Sequence, residues 1–203
     1  MFPFDVILFD VGGVLLTNGW DTRERALAAE HFNLDISELE ARHHSIYGDW
    51  ERGLISRDAY LDAAVFYEPR SFTRADFFNF MLAQSQWLPD GAIGILKQLV
   101  ASNKCMVGAL NNEARETNEY RFATFGLREY FKVRLTSCYL GLRKPDLAIY
   151  QCALDILGRP AERILFIDDR AENVAGAVQA GMKAIQFTNE EQLRGEFVSL
   201  GLS

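Results

Sequence analysis

The sequence predicts an α/β fold: a doubly wound parallel sheet of five strands, with an all-helical insertion after the first. Three observations lead there. Two short apolar runs, at residues 6–9 and 164–167, each lead directly into aspartate. Four consecutive apolar residues fit a strand covered on both faces, as strands of parallel sheets are. From residue 88 onward such runs alternate with helical patterns, the signature of β–α units joined by right-handed crossovers. Between them, residues 17–87 carry helix signals and no convincing strand, and this stretch is too long for a simple crossover. The expected division is residues 1–16 and 88–203 for the sheet unit and 17–87 for a helical cap over the end of the first strand.

The elements follow in order. After the first strand, Asp10 and the pair Gly12-Gly13 open a turn whose glycines permit unusual backbone angles and close approach of a ligand. Residues 21–32 read as a helix. Asp35 with Glu38 three residues on resembles a capping box and opens a helix to about His44. Ser56 caps a helix reaching Tyr67, and Thr73 with Asp76 starts one through Met81. Residues 91–101 are helical, 106–110 a buried strand ending at Asn111-Asn112, and 116–125 a helix closed by Gly126. The third strand, 131–137, is the least hydrophobic. A loop carrying Arg143-Lys144-Pro145 leads to Asp146, which caps a helix through Leu157 ended by Gly158. The fourth strand runs into Asp168-Asp169. A small helix over 173–180, a fifth strand over 183–187 and a final helix over 190–200 complete the chain.

Composition narrows the function. Twenty-one basic against twenty-eight acidic residues give a net charge of −7, which argues against a nucleic-acid or anionic-membrane surface. No run of eighteen apolar residues exists, so no membrane span is expected. Cys105, Cys138 and Cys152 are an odd number without close pairing and read as reduced structural thiols. The apolar start lacks a basic leader and is interrupted by Asp5 and Asp10; a cytoplasmic protein is expected.

The chemistry lies at the strand ends. In a parallel sheet the carboxyl ends of all strands share one edge, so Asp10, Asn111-Asn112 and Asp168-Asp169, with Lys144 in the loop after the third strand, can converge. Three carboxylates and one lysine suit a hard divalent cation that keeps water or phosphate oxygens in its shell.

These residues carry a resemblance. Phe9-Asp10-Val11-Gly12-Gly13-Val14, Leu110-Asn111-Asn112, Arg143-Lys144-Pro145-Asp146 and Phe166-Ile167-Asp168-Asp169, with Asn173 and Gly181-Met182, are similar in order and spacing to the motifs of the haloacid-dehalogenase superfamily. The resemblance covers essentially the whole chain and implies a Rossmann-like core with a small helical cap. It implies that Asp10 attacks the substrate phosphorus to form an aspartyl-phosphate, and that Mg²⁺ is held by Asp10, Asp169 and the Gly12 carbonyl with help from Asp168. Lys144 would neutralise the transferring group, Asn111 would donate to a phosphoryl oxygen, and backbone amides around Val11, Gly12 and Gly13 would complete the cradle. The expected partner is a small phosphorylated substrate such as a sugar phosphate or nucleotide.

Two departures stand out. The superfamily's phosphatases usually carry an acid–base Asp two residues after the nucleophile, where this chain has Gly12; loss of such a group costs roughly 10²–10⁴-fold. The sequence therefore predicts a preference for leaving groups that need little protonation, or an acid borrowed from the cap or substrate. Asn111 stands where Ser or Thr is usual, and Asn112 remains open as the working residue. Two alternatives follow: a metal-free 2-haloacid dehalogenase, which also lacks the second Asp, and a catalytically weakened ligand-binding or regulatory protein. Elsewhere, His43-His44, Glu113 and Arg115 are expected to be solvated. Trp20, Tyr47, Trp50 and Arg52 are expected to pack the cap or line its pocket, Phe72, Phe77, Phe78 and Phe80 to form the cap core, and Tyr150 to pack a helix.

Overall fold

The computed structural model describes residues 2–202. Five parallel strands, β1 (Val6–Phe9), β2 (Met106–Asn111), β3 (Val133–Thr136), β4 (Ile164–Asp168) and β5 (Lys183–Gln186), form one sheet in the order β3-β2-β1-β4-β5. β1 is central, and its residues explain why it is apolar throughout. Ile7 and Phe9 join one core with Leu165 and Ile167, while Val6 and Leu8 join the opposite core with Ile164 and Phe166. Helices α5 (Ile93–Ser102), α6 (Arg115–Thr124) and α10 (Glu190–Ser199) cover the first face through Leu96, Phe122 and Leu193. α8 (Leu147–Leu157) and α9 (Ala171–Gln179) cover the second through Ile149, Tyr150 and Ala177.

Four helices, α1 (Thr22–Phe32), α2 (Ile36–Glu51), α3 (Arg57–Ala64) and α4 (Arg74–Ala83), lie between β1 and α5. They have their own core, in which Leu39, Trp50, Tyr60, Phe77, Phe78 and Met81 are buried and Phe72 and Phe80 pack against them. The two connections to the sheet run side by side: Thr17 N–H donates to the Gln86 carbonyl (2.9 Å) and Leu88 N–H to that of Leu15 (3.0 Å). A short helix, α7 (Ser137–Leu140), follows β3 directly, so β3 stops at Thr136.

Several local expectations are corrected. α2 runs to Glu51, two turns beyond His44, because Gly48 is tolerated mid-helix; there its missing side chain lets Arg143 approach, and a Cβ would lie 3.4 Å from Nη1. The extension carries Tyr47, Trp50 and Glu51 to the sheet edge. α3 ends at Ala64 rather than Tyr67. Asp35 caps α2 but forms no reciprocal box, since Glu38 pairs with Arg42 instead. The complete boxes are Thr73–Asp76 and Asp21–Glu24, the second not anticipated. Asp146 occupies its cap position without a side-chain bond.

Candidate active site

Register places the functional groups. Phe9 is level with Ala109 and Ile167, and Asp10 N–H donates to the Ile167 carbonyl at 2.8 Å, so Asp10 emerges from the sheet beside Asp168. Lys144 Nζ reaches between them, 3.0 Å from Asp10 Oδ2 and 2.6 Å from Asp168 Oδ2, in near-complete burial. Asp10 Oδ1 accepts the Val11 N–H at 2.8 Å, which fixes the carboxylate plane. Burial pushes the Asp10 carboxyl up to about 8, with Asp168 and Asp169 adding to the shift and Lys144 opposing it; a cation among these carboxylates would pull it down. Burial alone would lower the Lys144 ammonium, but Asp10 and Asp168 raise it.

Asp168 and Asp169 differ in kind. Both Asp168 oxygens are engaged, by Lys144, the Arg170 N–H and the Asn173 amide, and Lys144 is the chief influence that holds its carboxyl down against burial. Asp169 Oδ1 is buried with no hydrogen-bond partner among the described residues, and burial raises its carboxyl. Oxygens of Asp10, Asp168 and Asp169 lie within 4.8 Å of one another. An all-oxygen donor set with one orphaned carboxylate oxygen fits a hard divalent cation such as Mg²⁺. Gly13 makes room for it: φ is +71°, and a Cβ would stand 2.3 Å from Asp169 Oδ2.

The turn after Asp10 is closed by bonds from Leu15 and Leu16 to the Val11 carbonyl and from Gly13 to that of Leu16. These leave the Gly12 carbonyl free to act as a ligand. They also revise the expected cradle, because the Val11 N–H is taken by Asp10 and that of Gly13 by Leu16, which leaves Gly12. The two asparagines have separate tasks. Asn112 brackets Lys144, accepting its N–H and donating to its carbonyl, each at 2.8 Å. Asn111 is buried in a network in which its amide donates to Glu113 (3.1 Å) and Asn118 (3.4 Å) and its oxygen accepts from Thr136 (3.0 Å). Both Asn111 N–H groups are therefore committed inward in this conformation.

Asp10, Gly12, Asn111, Asn112 and Lys144 open onto a cavity of about 370 Å³ roofed by α1 and α2. Of the residues expected at a cap pocket, Trp20, Tyr47 and Trp50 line it; Arg52 does not, pairing with Asp49. His43 is buried, contrary to expectation, whereas His44 is exposed; both line the cavity. Trp20 Nε1 can only donate, so the Tyr60 hydroxyl accepts there and donates to His43 Nδ1, both at 2.8 Å; the neutral ring then carries its proton on Nε2. Glu113 is also buried rather than solvated, paired to Arg121 at 2.6 Å, while Arg115 is exposed as expected. Glu51 meets Arg143 at 2.9 Å, and burial raises its carboxyl. Arg121 went unread because a lone arginine inside a helix looks solvated; its signal is the shared helix face with Asn118 and Phe122. Cys105, Cys138 and Cys152 are free thiols, and Tyr150 donates to the Asn173 carbonyl at 2.7 Å. Among the described residues no helix is long and apolar enough to cross a membrane.

Known proteins are similar to this chain over most of its length. The flavin mononucleotide hydrolase 1 of Arabidopsis thaliana is 27% identical over 199 residues, 98% of this chain and 78% of its own length. Drimenol cyclase drtB of Aspergillus calidoustus is 26% identical over 78% of this chain, which spans only 30% of that longer protein. Among solved structures, the had family enzyme bt-2542 of Bacteroides thetaiotaomicron superposes with a TM-score of 0.82 at 20% identity, covering 96% of this chain and 98% of its own. The L-2-haloacid dehalogenase of Xanthobacter autotrophicus superposes at 0.65 and 20% identity, covering 97% and 83%. The haloacid dehalogenase-like hydrolase family model matches residues 4–181, and the chain belongs to that hydrolase family.

Proposed function

We propose that this hydrolase is a Mg²⁺-dependent phosphatase that cleaves a small, polar phosphate monoester through an aspartyl-phosphate on Asp10. The observation that carries the reading is the buried cluster Asp10–Asp168–Asp169 with its unpartnered Asp169 Oδ1. A metal-free displacement has no use for a second and third carboxylate beside an anionic nucleophile whose carboxyl, already raised by burial, Asp168 and Asp169 raise further. Asp10, Asp169 and the Gly12 carbonyl would hold the cation, which when bound supplies the positive charge that lets a carboxylate approach a phosphate dianion.

The chain's own residues do the rest. The Val11 N–H and Lys144 hold the Asp10 carboxylate in one plane, and Asn112 fixes the backbone on either side of Lys144. Lys144 offsets charge on the transferring phosphoryl group, and the Gly12 N–H, the one of the three turn amides not taken by Asp10 or Leu16, donates to it. The helices over residues 17–87 act as the cap that excludes water.

The cavity favours a hydrophilic leaving group. Two of the rings that line it are already stacked: Tyr47 on His43 at 4.7 Å with Arg143 at 4.9 Å from its ring, and Trp50 on Tyr60 at 4.2 Å, while Trp20 meets Phe77 edge-on. Asn18, Thr22, Ser85 and Thr117 offer polar contacts instead. A sugar or other hydroxylated phosphate fits this lining better than a flat base or a hydrocarbon.

The test is phosphate release from acyl, anomeric and ordinary phosphate monoesters, with Mg²⁺ and with chelator, beside Asp10→Asn. Metal-dependent release abolished in the variant is the expected result. Release indifferent to chelator, or chloride release from 2-haloacids in its place, would overturn the proposal.

A further inference from the structure

Gly12 leaves the nucleophile without an acid two residues away, yet the space beside it is filled. A Cβ at Gly12 would stand 3.0 Å from Asn18 Oδ1 and 3.7 Å from Arg121 Nη1, and a Cβ at Gly19 3.9 Å from Arg121 Cζ. Two glycines thus admit a guanidinium from α6 into the floor of the Asp10 cavity, which Arg121 lines.

This guanidinium is fixed and under-used. Arg121 is 4% exposed. Nη1 donates to Glu113 Oε1 at 2.6 Å and Nη2 to the Thr17 carbonyl, and Nε has no partner among the described residues. Two of its five N–H donors are spent. Arg25, equally buried beside the same cavity, spends four, on Glu40, Trp20 and Thr22. A buried arginine normally has its donors satisfied, so spare ones at a cavity mark a place where an oxygen-bearing ligand completes the set. Both Glu113 oxygens are in turn bonded, by Arg121 and the Asn111 amide, which makes it a rigid holder of the guanidinium.

We propose that Arg121 stabilises the leaving oxygen as a fixed cation, in place of the proton donor that Gly12 lacks. The proposal rests on the phosphatase reading above and assigns its leaving-group chemistry. The Asp10 oxygen bonds to phosphorus as the ester P–O bond breaks, and the electron pair stays on the leaving oxygen beside Arg121. That oxyanion takes a proton from water. The hydroxide so formed attacks the aspartyl-phosphate, releasing hydrogen phosphate and regenerating the Asp10 carboxylate.

The experiment measures kcat/KM with Mg²⁺ over substituted phenyl phosphates and simple alkyl phosphates, plotted against leaving-group pKa. It compares wild type, Arg121→Lys, Glu113→Gln/Arg121→Met and Gly12→Asp. The double variant removes the buried pair as a unit and so leaves no lone charge; Gly12→Asp keeps both residues and poses the same question if the pair proves essential to folding. Neutralising the cation is expected to steepen the slope: about 10²-fold loss at the alkyl end and less than about 3-fold at the nitrophenyl end, on the scale of one lost oxyanion donor. Arg121→Lys keeps the wild-type slope. Gly12→Asp pairs with Arg121 and loses alkyl-phosphate activity. Equal losses across the series, or a gain on alkyl phosphates in Gly12→Asp, would overturn the proposal while leaving the phosphatase reading intact. No release from any ester by wild type would remove both.

Discussion

Lys144 Nζ bridges Asp10 and Asp168 at 3.0 and 2.6 Å, with its side chain 1% exposed. One buried cation therefore serves two buried carboxylates, and its removal leaves both uncompensated. Breaking such a cluster by deleting one member costs about 3–5 kcal/mol, whereas replacing a matched pair costs far less. Lys144→Met is expected to lower unfolding free energy by that amount, and Asp10→Asn/Lys144→Met to recover only part of it, because Asp168 stays buried without its cation. A double-mutant cycle by chemical denaturation in chelator measures the coupling.

Gly13 tests the metal site without touching a ligand. Its φ of +71° disfavours any side chain, and an added methyl would collide with the Asp169 carboxylate. If Mg²⁺ binds as proposed, it is expected to raise the melting temperature of the wild type, and Gly13→Ala, by displacing Asp169, is expected to abolish that rise, as is Asp169→Asn. Strain at such a position costs on the order of 1–3 kcal/mol, so the melting temperature in chelator falls as well. A full Mg²⁺ response in Gly13→Ala would contradict the placement of Asp169 as a ligand.

His43 predicts a pH dependence of stability. Burial and the nearby Arg25 and His44 lower its pKa to about 3, below the ordinary value of 6.5. The folded state thus holds it neutral while the unfolded chain binds a proton below about 6.5. Its contribution to stability is complete above that pH and is lost on acidification toward 3, with a slope of at most about 1.4 kcal/mol per pH unit. Asp10, whose carboxyl is raised, acts in the opposite sense between about 4 and 8. The effect is therefore read as a difference: His43→Asn, which keeps an acceptor for Tyr60, is expected to lose stability less steeply than wild type between pH 6.5 and 5.

What the sequence made legible follows from where it is written. Asp10, Asn111 and Asp168-Asp169 follow or end strands buried on both faces, so a polar residue there is conspicuous and its direction is set by topology. Three others that shape the cavity, beyond Trp20, Tyr47 and Trp50, were not legible for the opposite reason. His43, Arg121 and Glu113 are held by tertiary partners (Tyr60, Thr17 and each other) 17 and 104 positions apart in the first two cases. A charged residue in a helix or loop reads as solvated until another element arrives to cover it. The length of α2 was missed likewise, because Gly48 weakens a helix locally and is explained only by Arg143 from the far side of the chain.

Asn112 offers the last test, because it acts through another residue. Its side chain holds the Lys144 backbone by two bonds of 2.8 Å. Deleting it leaves the Lys144 charge in place and loosens its position. Misplacing a catalytic group by about 1 Å can cost as much as 10²-fold in rate. Asn112→Ala is therefore expected to lower kcat by roughly 10–10²-fold with little change in KM, since the loss falls on the transition state. Asn112→Asp keeps the acceptor for the Lys144 N–H but loses the donor, and should fall between the two. If instead Asn112 contacted the phosphoryl group directly, both variants would raise KM, and steady-state kinetics with the best ester from the panel separates the two outcomes.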